Sequence, residues 1–161
     1  MPDLSPFMQA LYAGDHERVR SLRAEQPELD VFEAASLGDV ERLRALLDED
    51  PSVVGAWSVD GFTPLHYAAF FGGPGPARVL VEHGADLEAP ARNEEFAREA
   101  QPLHSAAAAG RRDVCELLLA AGADPNARQH GGFTPLQEAR QRQDEELAAL
   151  LVRYGASGRG H

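Results

Sequence analysis

The sequence contains no lysine, so every one of its 15 basic residues is an arginine. Against these stand 26 acidic residues, which gives a formal net charge of -11 at pH 7. Such an excess of negative charge repels phosphate backbones and anionic lipids, so we expect neither a nucleic acid nor a membrane as partner. A basic patch on another protein is favoured instead. The absence of lysine, with many Ala, Gly and Arg residues, suggests a bacterial genome of high GC content.

Cysteine and long hydrophobic runs are also scarce. Cys115 is the only cysteine, which excludes an internal disulfide and fits a reducing compartment. No apolar run approaches the ~18 residues that a membrane-spanning helix needs. Residues 1–7 show no basic segment followed by an apolar run, as a secretory signal would require. We therefore expect a cytoplasmic protein.

The sequence does contain two motifs that recur together. The fragment TPLHYAA at residues 63–69 returns as QPLHSAA at 101–107 and as TPLQEA at 134–139. A second fragment follows each copy, as VEHGAD at 81–86, LAAGAD at 119–124 and VRYGAS at 152–157. The proline of the first motif and the glycine of the second are 20 positions apart in all three copies. Such regular spacing indicates internal repeats.

These blocks resemble the ankyrin repeat, which is ~33 residues long and opens with a TPLH-like motif. Pro102 and Pro135 are 33 positions apart, whereas Pro64 and Pro102 are 38 apart, so about five residues are inserted between the latter two. Weaker copies of the first motif occur at residues 5–15 and 31–39. The resemblance implies an all-α solenoid of about five stacked helix-turn-helix units, with short β-hairpin or finger loops between them.

The repeats predict one domain over residues 1–157. Its units are predicted to be an N-terminal cap pair at 4–28, three further units and a C-terminal cap, and residues 158–161 are predicted to form a flexible tail outside the domain. The three units between the caps are 29–61, 62–100 and 101–132, and the C-terminal cap is 133–157.

Local chemistry predicts where the helices begin and end. Ser5, Thr63 and Thr134 each precede a proline, so a hydroxyl can cap the helix that the proline starts. Gln101 is a poorer cap and predicts a looser start. A glycine after each first helix is predicted to make a left-handed turn; these are Gly14, Gly38, Gly72 and Gly110. The turn at residues 72–76 is rich in Gly and Pro, which predicts an unusual shape.

The side chains that could act in catalysis or bind a metal have structural interpretations. In proteins that this chain resembles, the imidazole in the positions of His66 and His104 binds the backbone between units. Cys115 lies in an apolar stretch and is predicted to be buried and inert. The other histidines, at 16, 83, 130 and 161, lack ligand spacing, and no nucleophile triad or phosphate-binding loop is present. We predict no enzyme activity, no cofactor and no metal.

The resemblance implies a concave binding face made of first-helix ends and finger tips. The positions it assigns to partner binding are Tyr12, Leu37, Trp57, Asp60, Phe70, Phe71, Arg92, Glu95, Phe96, Arg98, Arg128 and His130. Aromatic and Arg residues dominate interface energies, which favours this set. The alternative is that Phe70 and Phe71 fill space left by the Gly-Pro turn, and that Phe96 packs the insertion against the rest of the domain.

These features predict a monomeric adaptor, scaffold or inhibitor that binds one unidentified protein. A structural module that dimerises through the aromatic groove is the second hypothesis. A small-ligand protein or metal-dependent enzyme is a remote third.

Overall fold

Most of the short helices of this chain begin after a residue whose side chain caps them. The computed structural model describes residues 4–25 and 28–157, and the tail predicted at 158–161 lies outside them, as does His161. Ten α-helices occur in this part of the chain, with no strand. The prediction of an all-α stack of helix pairs joined by short fingers is confirmed, and hydrogen bonds such as Ser58 N–H to Phe62 O (2.8 Å) close the fingers.

The helices alternate as first and second members of five pairs. The first members are α1 (Pro6–Ala13), α3 (Val31–Leu37), α5 (Pro64–Tyr67), α7 (Pro102–Ala108) and α9 (Pro135–Gln141). The second members are α2 (His16–Glu25), α4 (Val40–Glu49), α6 (Pro74–Glu82), α8 (Arg112–Ala120) and α10 (Glu145–Arg153).

The predicted caps are present. Ser5 accepts from Met8 N–H at 3.2 Å, and Thr134 accepts from Gln137 N–H at 3.3 Å. A further cap, which the sequence reasoning missed, is Asp30, whose carboxylate accepts from Glu33 N–H at 2.8 Å. Gln101 does not cap α7, and its side-chain oxygen is buried without a hydrogen-bond partner among the described residues. The helix thus lacks the side-chain cap, as expected, and a looser start stays a prediction.

The turns between paired helices follow the prediction except at Gly72. Gly14, Gly38 and Gly110 have φ values of 68°, 73° and 69°, in the left-handed region. Gly72 does not; the left-handed residue is Gly73, with φ 93°. The reason is that α5 widens into a π-helical turn over Ala68–Gly72, which moves the reversal one residue onward. The 72–76 turn is therefore unusual, as predicted.

Stacking of the pairs forms the core. The first helices α3, α5, α7 and α9 contact one another in chain order, and so do the second helices α4, α6, α8 and α10. Leu65, Leu103 and Leu136 recur at one position of the TPLH-like motif and are almost fully buried. No helix pair could bury these side chains alone, so each unit is stabilised by its neighbours. None of the helices in the described residues is long and apolar enough to cross a bilayer.

Candidate functional site

An apolar groove of about 320 Å³ runs past the ends of the first helices and beneath the inserted finger. Its lining comes from α1, from α5 and its π-turn, from the insertion and from α7 and α9. Five of the seven phenylalanines and two of the three tyrosines of the chain line it. These are Phe62, Phe70, Phe71, Phe96, Phe133, Tyr12 and Tyr67. The volume is within the range of ligand pockets.

The aromatic rings of this groove contact one another, edge to face among Tyr12, Phe70, Phe71 and Phe96 and tilted between Phe62 and Phe96. The ring centroids of Phe70 and Phe71 are 4.8 Å apart, and those of Phe71 and Tyr12 are 5.4 Å apart. Phe96 lies 6.5 Å from Tyr12 and 5.9 Å from Phe62. Residues far apart in sequence thus form one continuous aromatic surface, of the kind that anchors protein interfaces.

The π-helical turn places Phe70 and Phe71 on this surface. Phe71 is half-buried against Tyr12, while the side chain of Phe70 is 41% exposed. Arg111, from the next unit, donates to the carbonyls of Phe70 (3.0 Å) and Phe71 (2.6 Å) and so satisfies backbone groups that the helix end leaves free. The space-filling alternative therefore describes part of the role of Phe71, whereas Phe70 faces the groove.

Asp60 lies behind the groove and not on its surface. It is 6% exposed, and its carboxylate accepts from the hydroxyls of Tyr12 (2.7 Å), Ser58 and Tyr67. Burial, with the neighbouring carboxylate of Asp60 adding to it, raises the pKa of both tyrosines above the ordinary value, and the phenol of Tyr67 raises the pKa of Tyr12 further. Because Asp60 is buried, its carboxylate orients two aromatic rings of the groove, and its assignment to partner binding stays a prediction.

The insertion forms a closed loop over one end of the groove. Ala91 N–H donates to Ala100 O at 2.8 Å, and Glu99 N–H donates to Ala91 O at 2.9 Å. Asn93, in the same loop, is buried and donates to Asp60 O at 3.0 Å, while its side-chain oxygen accepts from Phe96 N–H at 2.9 Å. Phe96 at the loop tip nevertheless stays 65% exposed. The loop therefore presents Phe96 over the groove without burying it.

The other residues predicted to bind a partner divide into two groups. Trp57, Arg92 and Glu95 line a second, shallower groove beside the first, and the guanidinium carbon of Arg92 lies 3.9 Å from the centre of the Trp57 ring. Four more line neither groove, and these are Leu37, Arg98, Arg128 and His130. The role of the second group in partner binding stays a prediction.

Several residues of the main groove were not among the predicted site residues. Phe62 and Phe133 each precede a Thr-Pro pair, so the repeated fragment Gly-Phe-Thr-Pro was a signal that could have identified them. Glu138 and Ser105 lie on the exposed sides of α9 and α7 and had no comparable signal.

The two TPLH histidines are used structurally. The Nδ1 atom of His66 accepts from Thr63 N–H at 3.2 Å, so Nε2 carries the proton and donates to Ala100 O at 2.8 Å. His104 makes the same arrangement with Gln101 N–H (3.0 Å) and Ala127 O (3.0 Å). Burial lowers the pKa of His66 to about 4 and lowers that of His104 as well. Both imidazoles are therefore neutral links between units.

Cys115 lies on α8 with no exposed surface, as predicted. Burial raises the pKa of its thiol to about 12. We expect the native protein to react with a disulfide reagent such as DTNB at pH 8 about a hundredfold or more slowly than the urea-unfolded chain. Absorbance of the released thiolate measures both rates, and equal rates would contradict the burial of Cys115.

Comparison with known proteins gives a consistent result. A family model described as ankyrin repeats matches three copies, at residues 7–91, 31–129 and 90–159. The neurogenic locus notch homolog protein 4 of Homo sapiens is 36% identical over 153 residues, which is 94% of this chain and 7% of that protein. The ankyrin repeat and SAM domain-containing protein 6 of Rattus norvegicus is 31% identical over 130 residues, 80% of this chain and 14% of that protein.

A channel protein is also similar to part of the chain. The transient receptor potential cation channel subfamily A member 1 of Homo sapiens is 34% identical over 100 residues, which is 60% of this chain and 8% of that protein. The chain thus spans 14% or less of the length of these three relatives. The similarity therefore concerns a small part of each of these longer proteins.

Proposed function

The chain belongs to the ankyrin repeat family, and on that premise we propose that it acts, without catalysis, by binding a protein partner in its aromatic groove. Repeats of this family make an interaction module. The observation that carries the proposal is the convergence of most of the chain's aromatic side chains in one open groove, with Phe70 and Phe96 exposed. Contiguous exposed apolar surface on a folded protein marks an interaction site.

The proposal extends to the setting of the interaction. We take residues 1–157 as one domain, with the unit boundaries predicted above, that works as an adaptor, scaffold or inhibitor. The single buried cysteine supports a reducing, cytoplasmic location. The bacterial origin stays a prediction from composition.

The first test measures capture of partners from lysate of the source organism. The double variant Phe70→Ala/Phe96→Ala removes the two exposed aromatic anchors, whereas Phe71 is half-buried and is left in place. We expect the recovery of the protein that the wild type enriches most strongly, measured by quantitative mass spectrometry, to fall about tenfold or more. The reason is that central anchors contribute ~2 kcal/mol each. The thermal midpoint should change little, since both side chains are exposed.

The chain offers a matched control on another face. Val152 and Tyr154, at the end of α10, are 52% and 37% exposed, and neither lines the groove. The variant Val152→Ala/Tyr154→Ala removes similar exposed area there and should leave capture unchanged. Equal recovery with the wild type and both double variants would overturn the assignment of the groove.

The competing proposal is self-association through the same aromatic surface. A net charge of -11 opposes the approach of two copies, so we propose a monomer. Light scattering over a hundredfold range of concentration should give one molar mass, that of the single chain. A dimer that Phe70→Ala/Phe96→Ala dissociates would replace the proposed function with self-association.

A further inference from the structure

The main groove contains one charged side chain. Glu138, on α9, is half-buried and lines it together with the aromatic rings. The two histidines of the lining are neutral near pH 7 because burial lowers their pKa values. The only full charge among the lining residues is therefore the carboxylate of Glu138, in otherwise apolar or uncharged surroundings.

The carboxylate of Glu138 has no partner within the described part of the chain. It makes no side-chain hydrogen bond and no ion pair with any residue of 4–25 or 28–157. Two arginines that reach this face donate hydrogen bonds to backbone carbonyl groups instead. Arg142 donates to Ala108 O at 2.8 Å, and Arg111 donates to the carbonyls at the end of the π-turn.

Aromatic faces and a carboxylate together recognise a cation that has apolar neighbours. Aromatic rings attract ammonium and guanidinium groups, and a carboxylate at the edge of an apolar site pairs with them more strongly than one in water. The volume of about 320 Å³ also leaves room beside the cation. A cavity of ~150 Å³ lined by apolar side chains holds a benzene molecule, so this groove can hold at least one bulky apolar side chain.

Resting on the proposed function, we propose that the groove holds a segment of the partner protein in which a bulky apolar side chain lies among the phenylalanines and a neighbouring arginine or lysine pairs with Glu138. The net charge of -11 favours approach of such a basic segment and disfavours a second copy of this chain. The apolar side chain supplies most of the affinity, and Glu138 selects the charge beside it.

The test uses a randomised library of short peptides displayed on beads. The full-length wild-type protein should enrich peptides that carry a large apolar residue next to Arg or Lys. With Glu138→Gln, the preference for the basic residue should disappear while the preference for the apolar residue remains. With Glu138→Arg, the basic peptides should be depleted about tenfold or more, and acidic residues should be enriched at the same position.

A control variant carries the same charge change away from the groove. Glu116 lies exposed on α8 and is not part of the lining, so Glu116→Arg should enrich the same peptides as the wild type. Circular dichroism of each variant verifies folding. The conservative Glu138→Gln variant keeps the test valid if Glu138→Arg does not fold.

Each contrary outcome has a distinct meaning. Apolar peptides enriched without a basic preference, or with a preference that Glu138→Gln leaves intact, would overturn this inference and leave the proposed function standing. Peptides that the wild type and Phe70→Ala/Phe96→Ala enrich equally would overturn the assignment of the groove itself. A dimer seen by light scattering and abolished by Glu138→Arg would overturn the inference in favour of a second copy.

Discussion

Replacing Gly72 with alanine is expected to lower the free energy of unfolding by about 3 kcal/mol, in the upper range for inserting an atom into a packed interior. A Cβ atom at this position would lie 2.0 Å from the carbonyl oxygen of Ala35, on the neighbouring helix α3, and 2.8 Å from a ring carbon of Pro76. The obstacle is backbone, so no side-chain movement relieves it. Urea unfolding followed by circular dichroism measures the change.

Two other glycines serve as controls because they separate crowding from backbone strain. At Gly55 a Cβ would meet no atom of the described residues within 4 Å and φ is not positive, so Gly55→Ala should be close to neutral. Gly14 has equally open space but a φ of 68°, so Gly14→Ala should cost about 1–2 kcal/mol from strain alone. A Gly72→Ala variant no less stable than Gly55→Ala would contradict the close approach of the π-turn to α3.

Acidification is expected to destabilise the protein through the TPLH histidines. His66 has a pKa of about 4 in the folded state against 6.5 for the ordinary group, so the unfolded chain binds more protons between these values. The stability is therefore complete above pH 6.5 and is lost as the pH falls toward 4. Linkage gives a loss of about 2 kcal/mol at pH 5 from His66, and His104 acts in the same direction.

The last repeat shows which substitution can serve as a control for the histidines. Gln137 occupies the position of the histidine there, and its side-chain oxygen accepts from Thr134 N–H at 2.8 Å without a group that titrates in this range. The variant His66→Gln/His104→Gln should be less stable than the wild type at pH 7 but should lose less stability between pH 7 and pH 5. Urea unfolding at both pH values measures this, and parallel losses would show that other groups cause the acid sensitivity.

Much of the fold could be predicted because its signals are local. A helix cap such as Thr134 depends on groups three residues away, and the left-handed turn at Gly38 depends on one residue's own conformation. Such features can be recognised wherever the same residues recur in the sequence. Gly72 was misassigned because the π-turn that displaces the reversal is a departure from the repeat that no single residue signals.

The candidate site was only partly predictable because its contacts are distant. The resemblance to the family placed Phe70 and Phe96 on the binding face. Nothing in the sequence indicated that Asp60 is buried. Tyr12 and Asp60 are 48 positions apart, and the hydrogen bond between them forms only when α1 packs against the finger that contains Asp60. Glu138 had no signal, since its importance comes from what surrounds it in the groove.

The sequence by itself determined the repeating helix pairs, their caps and the family, because these depend on interactions within a few residues and on a regular spacing. Only the tertiary structure decided which aromatic rings meet, that Asp60 is buried behind them and that a carboxylate with no partner among the described residues faces the same groove. The physical reason is that stacking brings together side chains from successive units. Their positions depend on the packing of every unit between them.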